Sequence, residues 1–293
     1  MRTTPVLIAL ILTAPAVGAQ SHHHAPAQVS PAALRQIHDV EKTMANLATT
    51  ERAGEAGYEP ALGWIPLMGT HWVHGPRMLE GRGKVSLDAP AQLMFSPVGG
   101  KETLVGVAYA YYAPIKDKTP PPALFDGAPA WHDHPDLSPP GTNMLMLHVW
   151  LVPSPDGPFA GENPYLPWWA AGVTPPDVER MRDPIVGERV RRATLAFAEV
   201  ADPNGWFPVI AKRAPVRAVL DERIAAVKAL IPDIEAAARS KDQARWDTLV
   251  DTVGTHWEAM AEAYLKSAVN PEVNARIAKA IADTIKGGRH DRP

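Results

Sequence analysis

The sequence predicts an α+β fold: a small antiparallel sheet in the middle of the chain, with helices before and after it. Three observations carry that prediction. A capped amphipathic stretch begins at Ser30. Short apolar runs punctuated by Gly and Pro fill the chain from Gly54 to about Leu166. Apolar residues then recur with a 3.6-residue period across 214–286.

At the N-terminus, Arg2 precedes the apolar run "VLIALILTA" and the small-residue run "PAVGA". Charged, apolar and small regions in that order read as an export signal, residues 1–19, cut after Ala19. The expected location of the mature chain is therefore the periplasm or the extracellular space. The apolar run is too short to span a bilayer, and no other segment comes close to a span. Residues 20–29, with His22, His23 and His24, read as a flexible tail.

Ser30-Pro31 is a helix start, with Ser as cap and Pro in the first turn. The helix is expected to run to about Arg52, with Leu34, Ile37, Met44 and Leu47 near one face. Strands are expected near 91–97, 103–112 and 143–152, the first two joined by a turn at Gly99-Gly100. Two long loops, "KDKTPPPALFDGAP" and "PSPDGPFAGENPYLPWW", flank the third strand. Residues 30–212 thus form a histidine-rich α+β core and 213–288 a helical region. In that region Val216, Val219, Leu220, Ile224 and Val227 share a stripe, as do Trp246, Leu249, Val250, Val253, Trp257, Met260 and Tyr264. A last helix starts at Asn270-Pro271 and stops at Gly287-Gly288.

Composition narrows the function. The chain has 293 residues, 46% hydrophobic and 21% charged, with a net charge of -3 and no long basic run, which argues against a nucleic-acid partner. Cysteine is absent. An exported chain without disulfides depends on its core or on a metal. Any metal would have to be held by imidazole, carboxylate, thioether or backbone oxygen.

Five histidines stand out. "GTHWVHGP" holds His71 and His74, "AWHDHPD" holds His132 and His134, and "MLMLHVWLV" holds His148. If "WHDH" is extended, His132 and His134 point to one face. Alternation in the third strand sets Met144, Met146, His148 and Trp150 on one face and the leucines on the other. His71 and His74 converge only if Gly75-Pro76 makes a turn. Asp133 or Asp136 could ligate, or orient an imidazole. The competing reading is a set of separate polar residues in a tryptophan-rich core. "GTHW" recurs at 254–257, but inside a helical pattern with different flanks, so His256 reads as a packing histidine.

Familiar site signatures fail. There is no His-Glu-x-x-His, no Cys-x-x-Cys-His, no phosphate loop, no dinucleotide fingerprint and no Gly-x-Ser-x-Gly. "WHDHPD", with His148 later, is similar to the His-x-His of cupins. It lacks their glutamate and flanking glycines, and no family function is carried over. The reading is an exported metal-binding protein holding zinc or copper at His71, His74, His132, His134 and His148. The alternatives are a metal-dependent hydrolase or oxidoreductase using the same histidines, and a metal-free protein whose tryptophan-lined cleft takes a small molecule. Met144-x-Met146-x-His148 would suit cuprous copper; zinc suits imidazole and carboxylate.

Overall fold

The computed structural model describes residues 29–127, 131–134, 137–183, 186–203 and 207–267, and beyond them the helical positions Ala275, Ala278, Lys279 and Ala282. The export signal, His22, His23, His24, Asp136 and the rest of the last expected helix lie outside the described residues.

Ser30 caps α1 (Pro31–Met44), its Oγ accepting from Ala33 N at 3.0 Å. The helix does not continue to Arg52. A 3-10 turn, Ala45–Leu47, ends it, and Thr49 caps α2 (Thr50–Glu55) by accepting from Arg52 N at 3.3 Å. The Thr49 hydroxyl satisfies an amide of a new first turn, and so competes with continuation of the old helix. Of the expected face, Ile37, Met44 and Leu47 pack on the sheet core and Leu34 does not. Ala33, Val40 and Met44 point inward, and Leu34 is 54% exposed.

The strands of the described chain form one antiparallel sheet. They are β1 (Glu59–Ile65), β2 (Gly69–Val73), β3 (Gln92–Val98), β4 (Lys101–Pro114), β5 (His132–His134) and β6 (Thr142–Trp150), in spatial order β1-β2-β3-β4-β6-β5. The three expected strands are β3, β4 and β6, and the α+β class is as predicted. β1, β2 and β5 are additions. β1 carries Pro60 and Gly63 and pairs with β2 through two register shifts, so it has no clean alternation to read. Gly99 and Gly100 turn β3 into β4 with positive φ (59° and 76°), a conformation that favours glycine. On β4 a bulge at Val105 makes the register skip a residue, from Met94↔Gly106 to Phe95↔Leu104.

Both faces of the sheet are covered. On one, Leu93, Val107, Tyr109, Leu147 and Val149 pack on Val40 and Met44 of α1, on Ala53 of α2 and on Tyr58. Each such fully buried aliphatic side chain contributes about 1.5–3 kcal/mol relative to exposure. On the other face the cross-strand pairs align His71, Met94 and Gly106 with Trp150, and Gln92 and Ala108 with His148. Two short helices cover this second face. Met78 of α3 (Gly75–Glu80) packs with Ala108, Ala110, Met144 and Met146, and Leu166 of α4 (Leu166–Ala170) packs with Met94, Val105 and Trp150. On the same face lie the polar side chains of His71, Gln92 and His148, all buried.

The helical region contains α5 (Val178–Arg182), α6 (Val186–Ala201), α7 (Pro208–Ala211), α8 (Ala214–Ser240) and α9 (Gln243–Ser267). α8 and α9 occupy the stretch where the 3.6-residue period is clearest, and they bury Val216, Leu220, Ile224 and Val227 against Trp246, Val250, Val253, Trp257, Met260 and Tyr264. Their core extends upstream of Arg213, taking in Val190 and Phe197 of α6 and Trp168 of α4. Trp168 stacks on Trp246 (centroids 6.0 Å, planes 12° apart) and donates its indole N–H to Thr194 Oγ1 at 2.8 Å. α4 therefore joins the two cores, with Leu166 on the sheet side and Trp168 on the helical side. Among the described residues, no helix is long and apolar enough to cross a membrane.

Candidate functional site

His148 is set by its strand and by the loop that follows. On β6 it lies opposite Ala108. After β6 the chain doubles back over the strand, tied by its own carbonyls. Trp150 N donates to Pro158 O and Trp150 Nε1 to Ala160 O, both at 2.7 Å, and Asn163 Nδ2 donates to Pro153 O at 2.9 Å. This brings Gly161 O to 2.8 Å from His148 Nδ1. A carbonyl oxygen can only accept, so Nδ1 carries the proton and Nε2 holds a lone pair. His148 Nε2 is buried and has no hydrogen-bond partner among the described residues. Burial, followed by the repulsion of His132, His71 and His134, holds the His148 pKa well below the usual 6.5 and outweighs the opposing Gly161 carbonyl.

β5 brings two more imidazoles to the same face. Its register sets His132 opposite Met146 and His134 opposite Met144. Paired residues of an antiparallel ladder share a face, so both rings turn toward His148. The His132 centroid is 4.8 Å from that of His134 and 5.1 Å from that of His148, each pair meeting edge to face. Asp133, between them, pairs with Leu145 and so projects the other way. It is exposed and accepts a hydrogen bond from Asn143 Nδ2 at 3.2 Å. The expectation that Asp133 ligates or orients one of these imidazoles does not hold, because strand alternation turns it away.

His71 joins from β2, on the same face, and is 4% exposed. Burial lowers its pKa to about 4; the Gly69 backbone opposes this, and His134 adds to it. His71 Nδ1 is buried without a hydrogen-bond partner among the described residues. His74 goes elsewhere. Gly75-Pro76 does not form the expected turn but opens α3, and His74 caps that helix, its Nδ1 accepting from Arg77 N at 3.4 Å. Its ring meets Tyr58 edge-on, with centroids 5.3 Å apart, on the side of the sheet that faces α1 and α2. Proline in the first helical turn explains the difference, since it presets the backbone for a helix and needs no N–H partner there. His38 pairs loosely with Glu41 at 3.4 Å on the exposed side of α1, and His256 is half-buried on α9.

Four of the five expected histidines therefore share one sheet face. Imidazole nitrogens about 2.0–2.1 Å from one tetrahedral ion set ring centroids roughly 5 Å apart, close to the two spacings seen here. Among the described residues, no group of three or more His, Cys, Asp or Glu side chains is placed so that it could hold a metal ion. The rings converge, but their nitrogens do not form a finished coordination shell. The Gly161 carbonyl is the part of the site that sequence reading missed, and nothing in a loop rich in Gly and Pro marks which carbonyl will meet an imidazole. A cleft of about 390 Å³ lies nearby, lined by Asp133, Ser138 and Asn143, on the side of β5 away from the imidazoles.

A scan of protein-family models, a search of curated proteins and a search of solved structures each return no match for this chain.

Proposed function

We propose that this is an exported metal-binding protein, with zinc or copper held by His132, His134 and His148 and with His71 as a further imidazole of the same site. The observation that carries the reading is His148. One ring nitrogen is fixed as a donor to a backbone carbonyl, and the other is buried, neutral and without a hydrogen-bond partner among the described residues, beside a second imidazole. A metal-ligating histidine is oriented in the same way, its second nitrogen donating to a carbonyl so that the first can bind the ion. A buried acceptor with nothing to accept costs about 1–3 kcal/mol, which a bound ion would offset. Metal affinity would also draw the rings into a shell that they do not make by themselves.

Elemental analysis of untagged protein from its native compartment tests this. One equivalent of a transition metal, lost in His148→Ala, is expected. No metal in the wild-type protein, or full occupancy in the variant, would sink the reading. A metal-dependent enzyme is the second reading, favoured by one observation: His132 and His134 are only half-buried, so an ion beside them could keep one position open to water. Asp133 is not its general base, since it faces away.

A further inference from the structure

We infer that the ion is cuprous copper and that Met146 supplies a thioether ligand to it. This rests on the metal-binding reading above and goes beyond it in naming the ion and a sulfur donor. The argument is one of position. Met146 lies directly across the ladder from His132 and two residues before His148 on the same face of β6. It is therefore the side chain that neighbours both imidazoles of the 5.1 Å pair. Met144 stands in the same relation to His134. Both methionines are buried, at 3% exposure each.

The donors available select the ion. The chain contains no cysteine, so a thioether is its only sulfur. The carboxylate nearest in sequence, Asp133, projects from the other side of β5. Among the described residues, the strands present on the site's face imidazoles, the thioethers of Met144 and Met146, and one amide, Gln92, whose Nε2 is engaged with Met78 Sδ; imidazole with thioether is a soft set that suits Cu(I), whereas carboxylates and water suit harder ions.

The test uses the full mature protein, reduced and anaerobic, with Cu(I) delivered against a chromophoric chelator and Zn(II) titrated separately. X-ray absorption at the copper edge reads the ligands in the unaltered protein, so it decides the matter even if a variant misfolds. The expected result is a sulfur scatterer beside nitrogen in wild-type protein. Met146→Leu should weaken Cu(I) at least about tenfold and remove the sulfur signal, with Zn(II) affinity unchanged. Nitrogen-only copper, an unaffected Met146→Leu protein, or binding of Zn(II) without Cu(I) would each overturn the inference while leaving the metal-binding reading intact. Binding of neither ion would overturn both.

Discussion

The imidazole of His132 meets that of His148 edge-on, with centroids 5.1 Å apart and planes at 66°. They are diagonal neighbours on adjacent strands, with Met146 directly opposite the first and two residues before the second. Cross-strand placement of this kind is fixed by register. A one-residue slip of β5 would carry both of its histidines to the other face and bring Asp133 in.

Replacing His132 and His134 together with Ala is expected to abolish stoichiometric metal and to lower the melting temperature of the metal-loaded protein. Deleting His22, His23 and His24 should do neither. Elemental analysis and thermal melts of both proteins check this.

His74→Ala should keep full metal content, because that ring caps α3 and packs on Tyr58. It should still cost about 0.5–2 kcal/mol of stability, the usual range for loss of a helix cap. Denaturant unfolding with parallel metal analysis separates the two effects. Loss of metal in this variant would contradict the geometry described here.

His71 gives stability a pH dependence of definite sign. Its pKa falls from 6.5 to about 4 on folding. Between those values the unfolded chain binds a proton that the folded protein does not, so stability rises with pH across this window and is complete above 6.5. His148 is depressed by the same burial and acts in the same direction. His71→Gln should flatten the rise in a series of melts from pH 4 to 7, and an unchanged profile would count against a buried neutral imidazole.

Glu199 acts in the opposite sense. It is fully buried in the helical core, accepts a hydrogen bond from Tyr264 Oη at 2.9 Å, and its pKa is pushed up to about 8, chiefly by burial. From 4.5 to about 8 the folded protein keeps a proton that the unfolded chain releases, so stability falls as pH rises through that window. Glu199→Gln keeps a neutral hydrogen-bonding group and should abolish this fall. The gain would appear as a higher melting temperature of the variant at pH 8, in melts of the two proteins side by side.

Gly106 has no room for a side chain. A Cβ there would stand 2.6 Å from Met94 Cε and 3.1 Å from the Trp150 ring. Gly106→Ala is expected to cost about 1–3 kcal/mol by overpacking, and because Trp150 is tied to the loop that carries Gly161, it should weaken metal binding as well. Denaturant melts and a metal titration on one preparation check both halves.

The legible parts of the sequence were those with a sustained period. β6 alternates cleanly because one face carries leucines and the other Met, His and Trp, and α8 and α9 repeat over many turns. β1 and β5 were not legible, the first because Pro60 and Gly63 interrupt it, the second because three residues make no pattern. For the site, the face of His148 was readable from alternation, while the shared face of His132 and His134 followed only on the condition that their segment is extended. The fate of His74 was not readable, because Gly-Pro after a strand serves a turn and a helix start equally well. Nor could any local pattern reveal that His71 would come to share the face of His148 with two strands between their own.

α4 is five residues long and is packed on two sides. Leu166 is committed to the sheet, and Trp168 to the stack with Trp246. The segment just before it carries the carbonyl that orients His148. A helix held on both flanks behaves as a rivet rather than a hinge: the sheet and the helical bundle should melt in a single step, and the tilt of the imidazole is set in part by tryptophans that never approach it.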